Sequence, residues 1–283
     1  MAPLAIPSPP FSSFQLGPVT IHVYALTMIA GMAVAYVLGR RRFVARGGDP
    51  DDFEGVVLWA IPAGIVGARI YHVLTHWGDY VAPGVNPWSV FFVWEGGIAM
   101  FGSLLGGALG AALACRHYGV RLLGFGDAIA PGIAVAQAIG RLGNWFNQEL
   151  FGRPTTLPWA LEIDAANRPP GYEGSATFHP TFAYEGLANL GAAMVLVALD
   201  RRLRLWHGQV FALYVTFYGV IRFAIEPMRT DFSYYLGPLR TNQVTALIVA
   251  VGGAVAFALL RRQFGPRPDA ANAALRVPGA TDK

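Results

Sequence analysis

The sequence predicts an all-α polytopic membrane protein with about seven transmembrane helices and a small outward, periplasmic-side subdomain between the fourth and fifth spans. Three observations predict it. Of 283 residues, 54% are hydrophobic and 13% are charged, and the mean hydropathy is +0.42, too apolar for a water-soluble domain of this length. Apolar stretches of roughly 20 residues, the length that crosses a bilayer, recur near 19–38, 55–75, 93–114, 124–142, 181–199, 209–226 and 242–260. Arginines collect after alternate stretches: Arg40, Arg41, Arg42 and Arg46 after the first, Arg116 and Arg121 after the third, Arg201, Arg202 and Arg204 after the fifth, and Arg261, Arg262 and Arg267 after the seventh.

That asymmetry sets the expected orientation, because basic loops stay in the cytoplasm. The N-terminal stretch and the loop from His76 to Pro87 contain no Lys or Arg and are expected outside, which puts the N-terminus outside and the C-terminus in the cytoplasm. The net charge of +4 follows from the same pattern. It does not point to nucleic acid, since the arginines are short clusters beside spans and form no basic stripe.

Residues 1–267 are expected to form one transmembrane domain, and 268–283, small and polar, a disordered cytoplasmic tail. The proline-rich segment before the first span has no basic n-region, so that span is expected to be retained. The outward subdomain is expected at about 144–178, where Pro154, Pro158, Pro169, Pro170 and Gly171 break the chain and Trp159, Leu161 and Ile163 alternate as in a strand. No internal repeat of the kind that builds inverted transporter halves is evident. A single cysteine, Cys115, excludes an internal disulfide and argues against a paired-cysteine redox or zinc site. No metal or cofactor is expected.

Four groups carry chemistry. The first is the run Gly140-Arg141-Leu142-Gly143-Asn144, continuing through Glu149, Gly152, Arg153 and Pro154. A charge at the bilayer centre costs ~2.5–3.5 kcal/mol on insertion scales, so an arginine at a span end is hydrated, paired or kept for a ligand. Arg141 and Asn144, three apart on a helix, share a face and suit a phosphate or carboxylate. An interfacial arginine with an amide cap is the structural alternative. The second is Tyr218, Arg222 and Glu226, stacked at four-residue spacing, with Pro227 ending the helix and Arg229 following. Here the alternative is a self-neutralising ion pair. The third is Arg69, expected to pair with Glu95, with His72 nearby, while Gly102, Gly106 and Gly110 read as a helix-packing seam. The fourth comprises His22 and Tyr24 before the first span, with His179, Pro180, Tyr184 and Glu185 opening the fifth.

These motifs, in this order, resemble the prolipoprotein diacylglyceryl transferase family of the bacterial inner membrane. The resemblance runs from His22-Val23-Tyr24 through Gly67-Ala68-Arg69, Trp94-Glu95-Gly96-Gly97, the segment from Gly140 to Pro154, His179-Pro180 with Tyr184-Glu185, and Tyr218-Gly219 with Arg222, Glu226 and Arg229. It implies transfer of the diacylglyceryl group of phosphatidylglycerol to the thiol of a lipobox cysteine in a prolipoprotein signal peptide. It also implies that Arg141 and Arg222 hold the lipid phosphate and stabilise the departing glycerol phosphate. Tyr24 and Glu226 are expected in the catalytic set, with Asn144, Glu149, Gly152, Tyr218, Arg229 and His22 around the substrate. Arg69, His72, Glu95 and His179 are expected to be structural or unassigned.

One position departs from the family pattern. Where the family often carries a histidine proposed as base for the thiol, this chain has Phe101. The thiol, with a pKa near ~8.5, is then acidified by the arginines, or Tyr24 or His72 accepts its proton. A non-enzymatic lipid transporter or a lipid-binding scaffold is the competing class.

Overall fold

A computed structural model of the chain describes residues 5–82, 84–93, 96–267 and 275. The expectations for Glu95 and for the tail, Leu275 apart, lie outside the described residues. Strands β1 (Ser13–Leu16) and β2 (Val19–His22) lead into α1 (Val23–Ala45), followed by α2 (Pro50–Thr75), the single turn α3 (Trp77–Tyr80) and α4 (Met100–His117). Helix α5 (Leu122–Phe146) precedes an irregular segment with β3 (Leu161–Glu162) and β4 (Thr177–Phe178). Then come α6 (Thr181–Leu203), α7 (Gln209–Ile225), β5 (Tyr235–Leu236), β6 (Leu239–Arg240) and α8 (Thr241–Phe264).

Six of these helices are long and apolar enough to cross a membrane: α1, α2, α5, α6, α8, and α7 extended to Met228. The stretch expected to span at 93–114 is helical only from Met100 to His117, 18 residues that close on Arg116 and His117, and it is not among the six. Its predicted start is displaced because Gly96 and Gly97 take positive φ, +92° and +70°, which an α-helix does not accommodate; before them Pro87 opens a separate 3-10 turn, Pro87–Phe91, in which the Asn86 side chain accepts from the Trp88 amide. The first span also starts late. Residues 19–22 form β2, folded back on β1 through Gly17-Pro18, with Gly17 at φ +61° as the first residue of a two-residue turn requires.

The described residues fall into two compact units, one within 5–41 and 126–267, the other within 42–125 with Leu275. In the first, Ala130, Leu196, Leu205 and Val210 from α5, α6, α7 and the loop between them form a fully buried cluster, with Tyr214, Phe217 and Phe257 packed around it. Helices α7 and α8 approach closely at Gly219 and Gly253: a Cβ at Gly219 would lie 2.5 Å from the Ala250 nitrogen. The segment after α5 has its own small core of Phe151, Leu161, Ile163 and Phe178, and β3 pairs with β4 antiparallel. That accounts for the strand-like alternation around Trp159, Leu161 and Ile163.

In the second unit α2 packs along α4. The seam is the predicted small-residue stripe, Gly102 and Gly106 against Gly67 and Ala63, where side chains would collide with backbone. Phe43, Phe53 and Phe125 form an aromatic triangle with centroids 5.4–6.0 Å apart. Cys115 is free and 1% exposed. Arg69 does not project free charge: its guanidinium donates to the carbonyls of Ser89 (2.5 Å), Val90 (2.9 Å) and Gly96 (2.7 Å) and lies over Tyr80. It therefore fastens the loop before α4 to α2.

One polar side chain ties two helices of the first unit together. Asp127, fully buried near the start of α5, accepts from the backbone amides of Gly208, Val210 and Phe211 at 2.9–3.0 Å. The amides that open α7 have no partner within their own helix, and a carboxylate supplied by another helix satisfies them while matching the positive end of the helix dipole. Removing it, as in Asp127→Ala, is expected to cost about 2 kcal/mol, and Asp127→Asn less. Thermal unfolding of purified protein in detergent checks this: equal midpoints for wild type and Asp127→Ala would dismiss the tie.

Candidate functional site

The C-terminal end of α5 carries Arg141, and the same end of α7 carries Arg222. Fourteen residues separate Asp127 from Arg141, and fourteen separate Gly208 from Arg222. At 1.5 Å per residue, each arginine therefore stands about 21 Å along its helix from the shared tie. Both reach one carboxylate. Glu185, on α6 and 3% exposed, forms an ion pair with Arg141 and lies 3.4 Å from the Arg222 guanidinium.

The ion pairs continue on either side. Arg141 donates to Asn144 at 3.5 Å, and the buried Asn144 amide donates to Glu149 at 2.8 Å. Helix α5 runs to Phe146, so the expected shared face of Arg141 and Asn144 is observed. On the other side Arg222 Nη2 lies 2.7 Å from Glu226, one turn along α7. Glu226 is fully buried and also receives Asn242 at 2.9 Å and approaches Arg240 at 3.5 Å. Arg229 contacts Asp231 at 2.6 Å and comes within 4.0 Å of Glu226. Four arginines thus alternate with four carboxylates. Each charge is neutralised locally, which is what makes their burial tolerable.

The arginines enclose little free space. A cavity of about 20 Å³ is lined by Gln137, Arg141, Glu185, Asn189, Tyr218 and Arg222 among others, room for about one water. Tyr218 therefore sits beside the arginine pair, one turn before Arg222. Tyr24 packs against the helix that carries Arg141: a Cβ on Gly143 would lie 2.6 Å from the Tyr24 ring.

The remaining expected residues fall into place around this chain of charges. Gly152 bridges to Arg229 as an isolated antiparallel pair and donates to the His179 carbonyl at 2.9 Å. A Cβ there would meet His179 at 2.7 Å and the Met228 carbonyl at 3.1 Å, so this glycine is where the segment after α5 is pressed against the end of α7. His179 Nδ1 contacts the Tyr184 hydroxyl at 3.2 Å, which also receives Trp159. His22 ends the exposed β2 opposite Ser13. His72 and Phe101 belong to the second unit, where His72 stacks on His76 at 4.4 Å and Phe101 lies 6.3 Å from Tyr71. Among the described residues no three His, Cys, Asp or Glu side chains are grouped to hold a metal.

Three participants carried no specific sequence assignment. Glu185 was visible only as part of the His179-to-Glu185 run, and Arg240 and Asn242 not at all. The available signal was polarity in an apolar stretch: Asn242 and Gln243 open the last span, and Glu185 sits one turn inside the fifth.

Outside the spans, Asp231 has a definite electrostatic signature. Burial pushes its carboxyl up, but the hydrogen bond and charge of Arg229, with the charge of Arg240, outweigh burial and hold it below the usual carboxylate range. A lowered folded value stabilises the fold above the unfolded pKa of ~3.9, and that contribution is lost as pH falls through the folded value. Asp231→Asn is accordingly expected to lower the thermal midpoint at pH 7, with the gap to wild type closing in strongly acidic buffer. A constant gap from pH 7 to pH 3 would contradict it.

Comparison with known proteins identifies the family. The profile of the family described as prolipoprotein diacylglyceryl transferase matches residues 12–259. A phosphatidylglycerol–prolipoprotein diacylglyceryl transferase of Cutibacterium acnes is 50% identical over 262 residues, covering 93% of this chain and 88% of that protein. The second such enzyme of Streptomyces coelicolor is 48% identical over 247 residues, 87% of this chain and 78% of that protein. That of Frankia alni is 50% identical over 262 residues, 93% and 69% respectively. With its six apolar helices and the paired arginines at the ends of α5 and α7, the chain belongs to the prolipoprotein diacylglyceryl transferase family.

Proposed function

We propose that this enzyme transfers the diacylglyceryl group of phosphatidylglycerol to the lipobox cysteine of a prolipoprotein signal peptide at the Arg141–Glu185–Arg222 site. The observation that carries the assignment is the convergence of two guanidiniums from different helices on one buried carboxylate. A carboxylate held between two arginines marks a position where a phosphate diester is also recognised, since both ligands present paired oxygens to the planar fork. Lipid phosphate exchanges with Glu185 for one edge of each arginine, and the small cavity between them widens as it enters.

The sulfur attacks the glyceryl carbon that bears the phosphate ester. A carbon–sulfur bond forms, the carbon–oxygen bond breaks, and glycerol 1-phosphate departs with one more negative charge than the diester had. Donors already aimed at that charge lower the barrier, and loss of one such donor costs ~2.7–4 kcal/mol in comparable sites. Arg141 and Arg222 serve this purpose. Glu226 and Asn242 hold Arg222, Asn144 and Glu149 hold Arg141, and Tyr218 and Tyr24 shape the space beside them. Gly152 and Arg229 brace the segment after α5, and His22 lies on the approach. The thiol proton leaves to Tyr24 or directly to solvent from a thiol acidified by the arginines.

The same reading places the protein in the bacterial inner membrane, with Met100–His117 as a seventh span, the N-terminus outside and the C-terminus in the cytoplasm. The arginines at the ends of α1, α4, α6 and α8 support that orientation. Residues 1–267 then make one transmembrane domain with 144–178 on the outer side.

Arg141→Ala and Arg222→Ala are each expected to reduce turnover of a lipobox peptide by at least 100-fold while the protein still inserts. Mass spectrometry of the peptide after incubation with phosphatidylglycerol reads this directly, and near-normal turnover by either variant would reject the clamp. A lipid transporter or scaffold would leave the peptide mass unchanged even with wild type. For the proton, Tyr24→Phe is compared with wild type across pH. An unchanged rate and profile assigns the step to the acidified thiol.

A further inference from the structure

Beside the arginine pair, within the same unit, lies a second and much larger pocket. Its volume is about 500 Å³, within the range of small-molecule sites, and Arg153, Arg229, Arg240, Asp231, Tyr172 and Tyr235 line it. Arg229, Arg240 and Asp231 belong to the neutral chain of charges that includes Glu226, and Arg153 adds one positive charge to it. The arginines are not equivalent. Arg240 is spent on structure, donating to the carbonyls of Glu226 and Arg229 at 2.9 Å each and to that of Asp231. Arg229 has a side chain only 7% exposed, yet only its Nε is engaged, by Asp231 at 2.6 Å. Among the described residues the two terminal nitrogens of that fork hold no hydrogen bond, and the residue lines the pocket. Arg153 also lines the pocket and is exposed, and its guanidinium has no protein partner among the described residues.

A nine-tenths buried guanidinium with an idle fork, facing a cavity that the unpartnered Arg153 also lines, is arranged for the paired oxygens of a phosphate. The pocket is linked to the arginine pair through Glu226, which contacts an arginine on each side. Glu226 is 2.7 Å from Arg222 and 4.0 Å from Arg229, so the two phosphate-binding positions lie on either side of one carboxylate. The tyrosines supply hydroxyl groups suited to a polyol.

We propose that this pocket receives the released glycerol phosphate dianion, and that Arg153 and Arg229 bind its phosphate before it leaves the protein. The assignment rests on the transferase reading above. It makes Arg153 a product-binding residue with no part in bond making.

The test measures inhibition by soluble glycerol 1-phosphate and, separately, the KM for phosphatidylglycerol in mixed micelles. In Arg153→Gln the inhibition constant is expected to rise about tenfold, the loss of one charge-assisted contact. Product-free initial rate and lipid KM stay at wild-type values, and Arg153→Lys falls between. Equilibrium dialysis of radiolabelled glycerol 1-phosphate against wild type in detergent reads binding without turnover, so the site is tested even if the transferase reading fails. No saturable binding to wild type, or an inhibition constant unchanged in Arg153→Gln, overturns the proposal. A raised lipid KM with unchanged product inhibition also overturns it, because the pocket would then serve the lipid headgroup.

Discussion

A carboxylate buried between two guanidiniums is the constraint on which the first unit is organised. Glu185 is stable in an apolar helix only because Arg141 and Arg222 reach it, and each arginine is stable there only because a second acceptor takes its other edge. An unpaired charge in such surroundings carries a penalty of several kcal/mol. Losing one of these residues leaves its partners uncompensated, and the contacts bind α5, α6 and α7 into one electrostatic object.

Much of this was legible in the sequence, and the rest was not for identifiable reasons. Helices were visible wherever hydrophobic length exceeded the bilayer, and Arg141, Arg222 and Glu226 stood out because charge in such segments is expensive. Helix starts were less visible. Val19 to His22 is as apolar as the helix that follows, and only the Gly17-Pro18 turn shows that it folds back as a strand. Met100 opens α4 seven residues past the expected start because hydropathy does not register that Gly96 and Gly97 take positive φ and interrupt the helix. Glu185 was hidden by its neighbours, since a carboxylate after His-Pro-Thr-Phe-Ala-Tyr reads as an interfacial residue until its partners on other helices are known. Arg69 shows the opposite case: a conspicuous charge whose partners are backbone carbonyls, which no side-chain pattern reveals.

A short local repetition also escaped notice because it is too brief to register as a domain repeat. Leu16-Gly17-Pro18 and Leu236-Gly237-Pro238 each turn a hairpin, both glycines at φ +61°, and each hairpin runs directly into a long helix ending in arginines. Aromatic and aliphatic side chains of both hairpins are exposed, Phe14 and Leu16 in one, Tyr235 and Leu236 in the other. The second hairpin fixes where α8 begins, and hence where Asn242 meets Glu226. The equal spacing from Asp127 to Arg141 and from Gly208 to Arg222 works by the same logic at the opposite end. Register is decided by tight, polar, short-range geometry, while the apolar helix faces between would accept small slips.

The only sulfhydryl of the chain has a consequence of its own. An enzyme that alkylates thiols carries a hazard if it offers one, because its own cysteine would compete with the incoming peptide and end each catalytic life with a lipid permanently attached. Cys115 is packed to 1% exposure inside the second unit, so burial shields the catalyst from becoming its own product.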